Sequence, residues 1–172
     1  MVKLNKKHFL YIVIALVLAI VLIVIVNLAD EKTPKEQIKD QLTNFLAKAS
    51  KSSGDKLSTG LIKSKRLEAF FAPRCKFQIG VSSFSGTYTP VKISSNSMRY
   101  RTLFKRVKFA AHDIEVSIIS PETAQADFTG SINALTKRGK SIDDYKELSC
   151  KLRLIEGEWL LYSVSIREIL KK

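Results

Sequence analysis

Residues 109–135, FAAHDIEVSIISPETAQADFTGSINAL, contain two runs of alternating apolar and polar side chains with one turn signal between them. In the first run apolar positions recur at every second residue up to Ile118, and in the second they recur from Ala124 onward. Such alternation indicates strands with one buried face, and the Ser-Pro-Glu sequence at 120–122 is typical of a turn. The stretch therefore predicts an antiparallel hairpin, from which the rest of the fold can be worked out.

More strands are predicted after this hairpin. A polar loop at 136–144 leads to a third alternating run, Tyr145–Ile155. The Glu156-Gly157 pair predicts a tight hairpin turn, because such residues are common where two strands reverse direction. Residues 158–170 predict the last strand, which contains the only tryptophan, Trp159. Together with the hairpin, these runs predict a four-stranded antiparallel meander.

Two shorter strands are predicted before the hairpin. Residues 75–81 alternate, with Phe77 and Val81 on one face. Residues 87–93 predict a second short strand, in which Pro90 indicates an edge or a bulge because proline cannot donate a ladder hydrogen bond. The chain thus predicts about six strands.

Helical patterns lie among these strands. Thr33-Pro34-Lys35-Glu36 is a capping box with proline at the first helical position, and apolar residues follow at helical spacing up to Ala49. A second helical stretch runs from Leu57 until Pro73 stops it. Ser94, Ser95 and Asn96 offer caps for a third helix, whose buried stripe would comprise Tyr100, Leu103, Phe104 and Val107. The predicted fold class is α+β, with about three helices packed on a curved, mainly antiparallel sheet of about six strands.

The N-terminal segment predicts a membrane anchor. Residues Phe9–Val26 are 18 consecutive apolar residues without a charge, close to the ~20 helical residues that cross a bilayer. The segment is too long for the core of a cleaved signal peptide. The predicted organisation is a short basic tail at 1–8, a transmembrane helix at 9–29, a linker at 30–33 and one domain at 34–172.

Lysines on both sides of the anchor bear on its orientation. The positive-inside rule favours a cytoplasmic N-terminus and an extracytoplasmic domain, because the short tail is compactly basic. A cytoplasmic domain stays open as the alternative, since three lysines also follow the anchor. The six are Lys3, Lys6, Lys7, Lys32, Lys35 and Lys39.

The order of the elements resembles the nuclear transport factor 2-like superfamily, which includes SnoaL-type cyclases and ketosteroid isomerases. Four stretches carry the resemblance: the capped helix Thr33–Ser52, the passage LEAFFAP at 67–73, the hairpin Ile114–Phe128 and the ending EGEWLL at 156–161. The resemblance covers about residues 33–170. It implies a cone-shaped domain with a pocket between helices and sheet, and superfamily members include both enzymes and binding or dimerising domains.

The candidate pocket residues are few. If apolar residues of the first hairpin strand line the pocket, His112 lies among them, and Tyr88 from the second strand could join it. Asp113 and Asp127 then point away by alternation. A lone histidine is more often structural, so enzyme activity stays uncertain and is not favoured. No motif indicates a metal or a cofactor. Cys75 and Cys150 could form one disulfide or remain two buried free thiols.

Charge indicates the kind of partner. The chain has 29 basic and 16 acidic residues, a net charge of +13, which favours anionic partners. The most concentrated basic stripe is either the solvated side of the third helix or a contact for anionic lipid or an acidic protein. Nucleic acid is not favoured, because aromatic residues do not interleave with the basic ones. The stripe comprises Arg99, Arg101, Lys105, Arg106 and Lys108.

These observations predict a membrane-tethered, non-enzymatic domain that acts by protein or ligand contacts at the membrane surface. The alternative is an isomerase- or dehydratase-like enzyme that uses the domain pocket. A homodimer is compatible with either function.

Overall fold

The computed structural model describes residues 16–19, 32–79 and 85–166. The chain divides into two compact units, Met1–Thr33 and Pro34–Lys172. In the first unit residues 16–19 are helical. The predicted basic tail, transmembrane helix and linker fall almost wholly outside the described residues. No helix formed by the described residues is long and apolar enough to cross a membrane.

The second unit contains six strands and three α-helices among its described residues. Its sheet order is β2-β1-β6-β5-β4-β3; β1 and β6 run parallel, and every other neighbouring pair is antiparallel. The predicted α+β class is therefore confirmed, as a mixed sheet. The elements are α1 (Pro34–Ala49), α2 (Leu57–Arg66), a 3-10 helix (Leu67–Phe70), β1 (Phe71–Gln78), β2 (Gly86–Tyr88), α3 (Pro90–Arg101), β3 (Phe104–Ser120), β4 (Thr123–Thr136), β5 (Ser141–Ile155) and β6 (Glu158–Ile166).

Helix α1 supplies much of the core. Its residues Ile38 and Leu42, one helical turn apart, are fully buried in the same cluster as Leu152 and Leu161 of the sheet. The side-chain amide of Gln41 donates to the carbonyl oxygen of Trp159 at 3.2 Å. This apolar stripe and one polar anchor hold α1 against the face of the sheet that we call the inner face.

The chain from Tyr88 to Val107 differs from the prediction. Pro90 is the first residue of α3, and the Thr89 hydroxyl accepts from the backbone N–H of Lys92 at 3.4 Å. The predicted strand at 87–93 is therefore wrong beyond Tyr88, because a Thr-Pro pair starts a helix as readily as it marks an edge strand. The predicted third helix is present but ends at Arg101, so the prediction is wrong for Leu103, Phe104 and Val107. Residues 104–111 alternate, and Val107 is buried on the inner face of β3.

The other predicted ends of strands and loops lie closer to those in the structure. Strand β1 begins at Phe71, and Pro73 lies in a register irregularity between β1 and β6, where the ladder does not need its missing N–H. The predicted loop at 136–144 shrinks to residues 137–140, because β4 and β5 pair through Leu135 and Ser141. The Glu156-Gly157 hairpin turn is confirmed, with φ of 51° and 83°.

A bulge in β3 changes which side chains face the core. The ladder with β4 shifts register between His112 and Glu115, and Asp113 adopts a φ of 54°. Before the bulge Val107 and Ala111 point inward; after it Ile114 and Val116 do. The simple alternation assumed for this strand therefore fails at His112, which lies on the exposed outer face of the sheet.

The buried guanidinium of Arg101 joins three parts of the fold. At the end of α1, its Nη1 donates to the carbonyl oxygen of Ala49 at 2.8 Å, and its Nη2 donates to that of Ser50 at 3.0 Å. Nη2 also lies 3.2 Å from a carboxylate oxygen of Asp55, and this carboxylate pairs with Lys63 at 2.8 Å. Burial alone would raise the pKa of Asp55, but the hydrogen bond and charge of Lys63, with the charge of Arg101, hold it below its usual value. The network neutralises a cation that is only 4% exposed.

Replacing Arg101 by Met is expected to destabilise the protein by about 3–5 kcal/mol, because it strips donors from the end of α1 and leaves Asp55 with one cation fewer. Urea unfolding of the purified chain, followed by the fluorescence of buried Trp159, measures the loss. Arg99→Met, two residues earlier on the exposed side of α3, is the matched control and should change stability little. Equal unfolding midpoints for the two variants would contradict the role given to Arg101.

Cys75 and Cys150 are both buried and both free. They lie on β1 and β5, and β6 runs between these strands. Adjacent strands are ~4.8 Å apart, so the two α-carbons are separated by roughly 9–10 Å, more than a disulfide spans. Burial raises the pKa of each thiol to about 12. The structure thus describes two protonated thiols in the core.

A thiol reagent at mildly alkaline pH is expected to leave both cysteines of the native protein unmodified and to modify both after unfolding. The reason is that neither the thiolate nor solvent access is available in the folded state. Counting labels by mass spectrometry provides the measurement. Loss of reactive thiols even after unfolding without reductant would indicate a disulfide and contradict the structure.

Candidate anion-binding groove

A row of aromatic side chains packs between the helices and the inner face of the sheet. Neighbouring rings in a row from α1 and the 3-10 helix to β2 have centroids 5.4–5.9 Å apart. Trp159 closes the core from β6 and is 5% exposed. Two depressions formed by the described residues lie elsewhere. The rings in the row are Phe70, Phe45, Phe71, Phe77 and Tyr88.

The candidate pocket residues do not meet. Tyr88 lies on β2 and His112 on β3, which are the two opposite edges of the sheet. The Tyr88 ring packs against Phe77, whereas the His112 imidazole is exposed and lies 3.1 Å from the Ser131 hydroxyl. Asp127 accepts from the Gln125 side chain at 3.0 Å. In the described part of the chain these groups do not form an acid–base pair around a shared cavity.

A polar groove is the more pronounced depression. It encloses about 270 Å³ between the segment that follows α1 and the first half of β3. Its floor is fixed because Lys51 and Val107 exchange two backbone hydrogen bonds, at 2.7 and 2.9 Å. The Ser50 hydroxyl adds a third bond by accepting from the backbone N–H of Phe109 at 3.0 Å. The lining residues are Ala47, Ser50, Lys51, Ser52, Ser53, Lys63, Arg106, Val107, Lys108 and Asn133.

The groove carries a positive potential. Arg106 and Lys108 are two residues apart on exposed positions of β3, and Asn133 lies opposite Lys108 on β4. Lys51 donates to the carbonyl oxygens of Arg101 and Phe104, at 2.9 and 2.6 Å. Burial lowers the pKa of Lys51, and the nearby charges of Lys137 and Arg101 lower it further. Such an excess of cations favours an anionic ligand.

Hydroxyl groups add neutral donors to these cations. Ser52 and Ser53 are exposed in the loop that forms one wall. Hydroxyl, amide and guanidinium groups together can bind carboxylate or phosphate oxygens. Among the described residues, none of those that line the groove is aromatic, so these residues offer no ring on which a base could stack.

The predicted basic stripe is split by the structure. Arg99 is exposed on α3, whereas Arg101 is buried in the ion-pair network and is not a surface residue. Lys105, Arg106 and Lys108 are exposed on β3 rather than on a helix. Only Arg106 and Lys108 of the five line the groove.

Sequence reasoning missed the other half of the groove. The sequence patterns assign no site to Lys51, Ser52, Ser53 or Lys63. No periodic signal could bring them to β3, because the bridge from Lys51 to Val107 spans 56 positions of the chain. Among the described residues, no group of three or more His, Cys, Asp or Glu is placed to hold a metal ion.

Comparison with known proteins shows which solved structures share this fold. No family model matches the chain, and no curated protein matches it. A candidate scytalone dehydratase from Novosphingobium aromaticivorans is similar in structure, with a TM-score of 0.63 and 13% identity over 77% of this chain and 81% of that chain. A candidate calcium/calmodulin-dependent protein kinase II association domain from Xanthomonas campestris is also similar, with a TM-score of 0.60 and 16% identity over 84% of this chain and 92% of that chain.

A third similar structure is an NTF2-like protein with a cystatin-like fold from Novosphingobium aromaticivorans. It has a TM-score of 0.59 and 12% identity, over 84% of this chain and 86% of that chain. Likeness at such low identity carries the fold and not the activity. The chain therefore contains a domain with the nuclear transport factor 2-like, or cystatin-like, fold.

Proposed function

We propose that this protein is a membrane-tethered, non-enzymatic binding domain that holds an acidic protein segment in the groove between Lys51 and Lys108. One observation carries the proposal: the groove is lined by four cations, whereas a row of aromatic rings packs between the helices and the sheet. Closely packed rings leave little room between them for a small substrate. A groove of one charge sign favours a partner of the other sign.

The nature of the groove favours an extended acidic segment. Asp55 is the carboxylate closest to the lining cations, and it is already bonded to Lys63 and Arg101. The carboxylates of the acidic segment would therefore contact Arg106 and Lys108, because Asp55 does not compete for these two cations. Ser52 and Ser53 would add hydrogen bonds to the backbone or side chains of the segment.

An isomerase- or dehydratase-type enzyme is the second candidate. Its support is the fold shared with the candidate scytalone dehydratase. Such chemistry needs a proton donor and acceptor that converge on an open cavity. Here Phe45, Phe71 and Phe77 would have to move apart to open one. The binding function therefore ranks first.

Replacing Arg106 and Lys108 together by Gln is expected to weaken binding of a fluorescent polyglutamate peptide about tenfold, because two charge-assisted contacts are lost. Fluorescence anisotropy on the full chain gives the affinity. Lys35→Gln with Lys39→Gln removes the same charge from exposed positions of α1 and should have little effect. An equal loss in both double variants would mean that net charge, and not the groove, attracts the peptide.

The tether has its own test. The full chain is expected to stay with the membrane fraction after alkaline extraction. Replacing Leu18 and Val21 by Arg should release much of it, because each central arginine costs about 2.5–3.5 kcal/mol in membrane insertion. The same two positions changed to Ala serve as the control. Extraction of the unmodified chain by alkali would exclude the tether and leave the groove proposal standing.

A further inference from the structure

Helix α2 exposes its apolar residues and buries its small ones. Leu57, Leu61 and Ile62 are 68%, 54% and 54% exposed, whereas Gly60 and Ser64 face the protein. At 100° per residue, the three apolar residues fall within an arc of about 140° on the outward side. This arrangement is the reverse of an ordinary surface helix. We therefore expect the outward side of α2 to bind an apolar surface.

The inward side explains why the helix is nevertheless held in place. A side chain at Gly60 would contact Met98 of α3, so the two helices approach closely there. The hydroxyls of Ser64 and Ser97 lie 3.5 Å apart on the same interface. Small residues thus dock α2 on α3, and the docking does not require the large apolar ones. Val91 of α3 is also 60% exposed.

Cations outnumber acids beside these apolar residues. Neither α2 nor α3 contains Asp or Glu. Lys63 pairs with Asp55, and Lys65 pairs with Glu68. Arg66, Lys92 and Arg99, the remaining exposed cations of the two helices, have no ion-pair partner among the described residues. We call the outward residues of the two helices the α2–α3 surface: Leu57, Leu61, Ile62, Arg66, Lys92 and Arg99.

We propose that the α2–α3 surface docks the domain on an anionic lipid bilayer. Apolar side chains beside Lys and Arg on an exposed helix face fit the boundary between headgroups and acyl chains. Leu57, Leu61 and Ile62 would enter that boundary, while Arg66, Lys92 and Arg99 would meet lipid phosphates. This site lies outside the groove, so the domain could bind a partner and a membrane surface at once.

Charge complementarity favours an anionic bilayer over an acidic protein or a second copy of this chain. An acidic protein would need its own apolar patch between its carboxylates. A second copy of this chain would bring cations against cations, because the surface has no acid of its own. A bilayer containing anionic lipid supplies both an apolar layer and a dense layer of negative charge.

The experiment measures how deep α2 sits in a membrane. In the full chain, Ser58→Cys places a thiol on the outward arc of α2, and the two native thiols are buried. An environment-sensitive fluorophore on position 58 is followed in vesicles that carry a lipid-bound quencher. One set of vesicles contains phosphatidylcholine alone, and the other contains phosphatidylcholine and phosphatidylglycerol in roughly equal amounts. Ser117→Cys, exposed on the outer face of β3, is the matched control position.

Strong quenching at position 58 in the anionic vesicles, with little at position 117, is the expected result. Replacing Leu57, Leu61 and Ile62 by Ser should abolish it. Replacing Arg66, Lys92 and Arg99 by Gln should weaken docking about fivefold for each cation removed. Lys35→Gln with Lys39→Gln should leave the quenching at position 58 unchanged.

Three outcomes would overturn the proposal. The first is equal quenching at position 58 in neutral and anionic vesicles, and the second is no quenching in either. The third is a fluorescence change that grows with protein concentration without vesicles, which would assign the surface to a second copy. Flotation of the vesicles distinguishes docking through α2 from membrane binding through the anchor. A chain that floats with the vesicles but shows no quenching at position 58 is anchored and not docked.

Discussion

The fold depends on how one buried cation is neutralised. Arg101 ends α3 at the point where α1 also ends, and its guanidinium bonds the last carbonyl oxygens of α1 together with Asp55. A cation that is 4% exposed cannot lack partners. The constraint therefore fixes the segment from Ser50 to Asp55. Because that segment carries Lys51, the same network sets where the groove forms beside β3.

Local patterns predicted much of this fold, and they failed where two local signals competed. The Thr-Pro pair at 89–90 fits both an edge strand and a helix start, and the helix wins because α3 packs on α2. Val107 is spaced like a helical residue from Tyr100, yet it lies in β3. Its pairing with Ala134 and the bridge from Lys51 are long-range contacts that a helical wheel cannot contain.

The candidate site was less accessible to prediction than the fold. Placing His112 in a pocket required that the alternation of β3 continue unbroken, and one extra residue at Asp113 reverses it. The anionic partner that the charge excess favours stays a prediction. The charge excess does not predict the groove, because two of its cations lie on β3, one on the segment after α1 and one on α2. One of the five predicted surface cations, Arg101, proved to be the residue that organises the interior.

The interior is closely packed where β4 meets its neighbours. On β4 the inner face has small residues, and large neighbours occupy the space they leave. A side chain at Gly130 would collide with Leu148, and Ala126 and Ala134 are fully buried. Such complementary packing is costly to open, because each large residue supports several others. Arg106 and Lys108 of the groove and the apolar residues of α2 lie instead on the exposed surface, where contact with a partner does not require this packing to open.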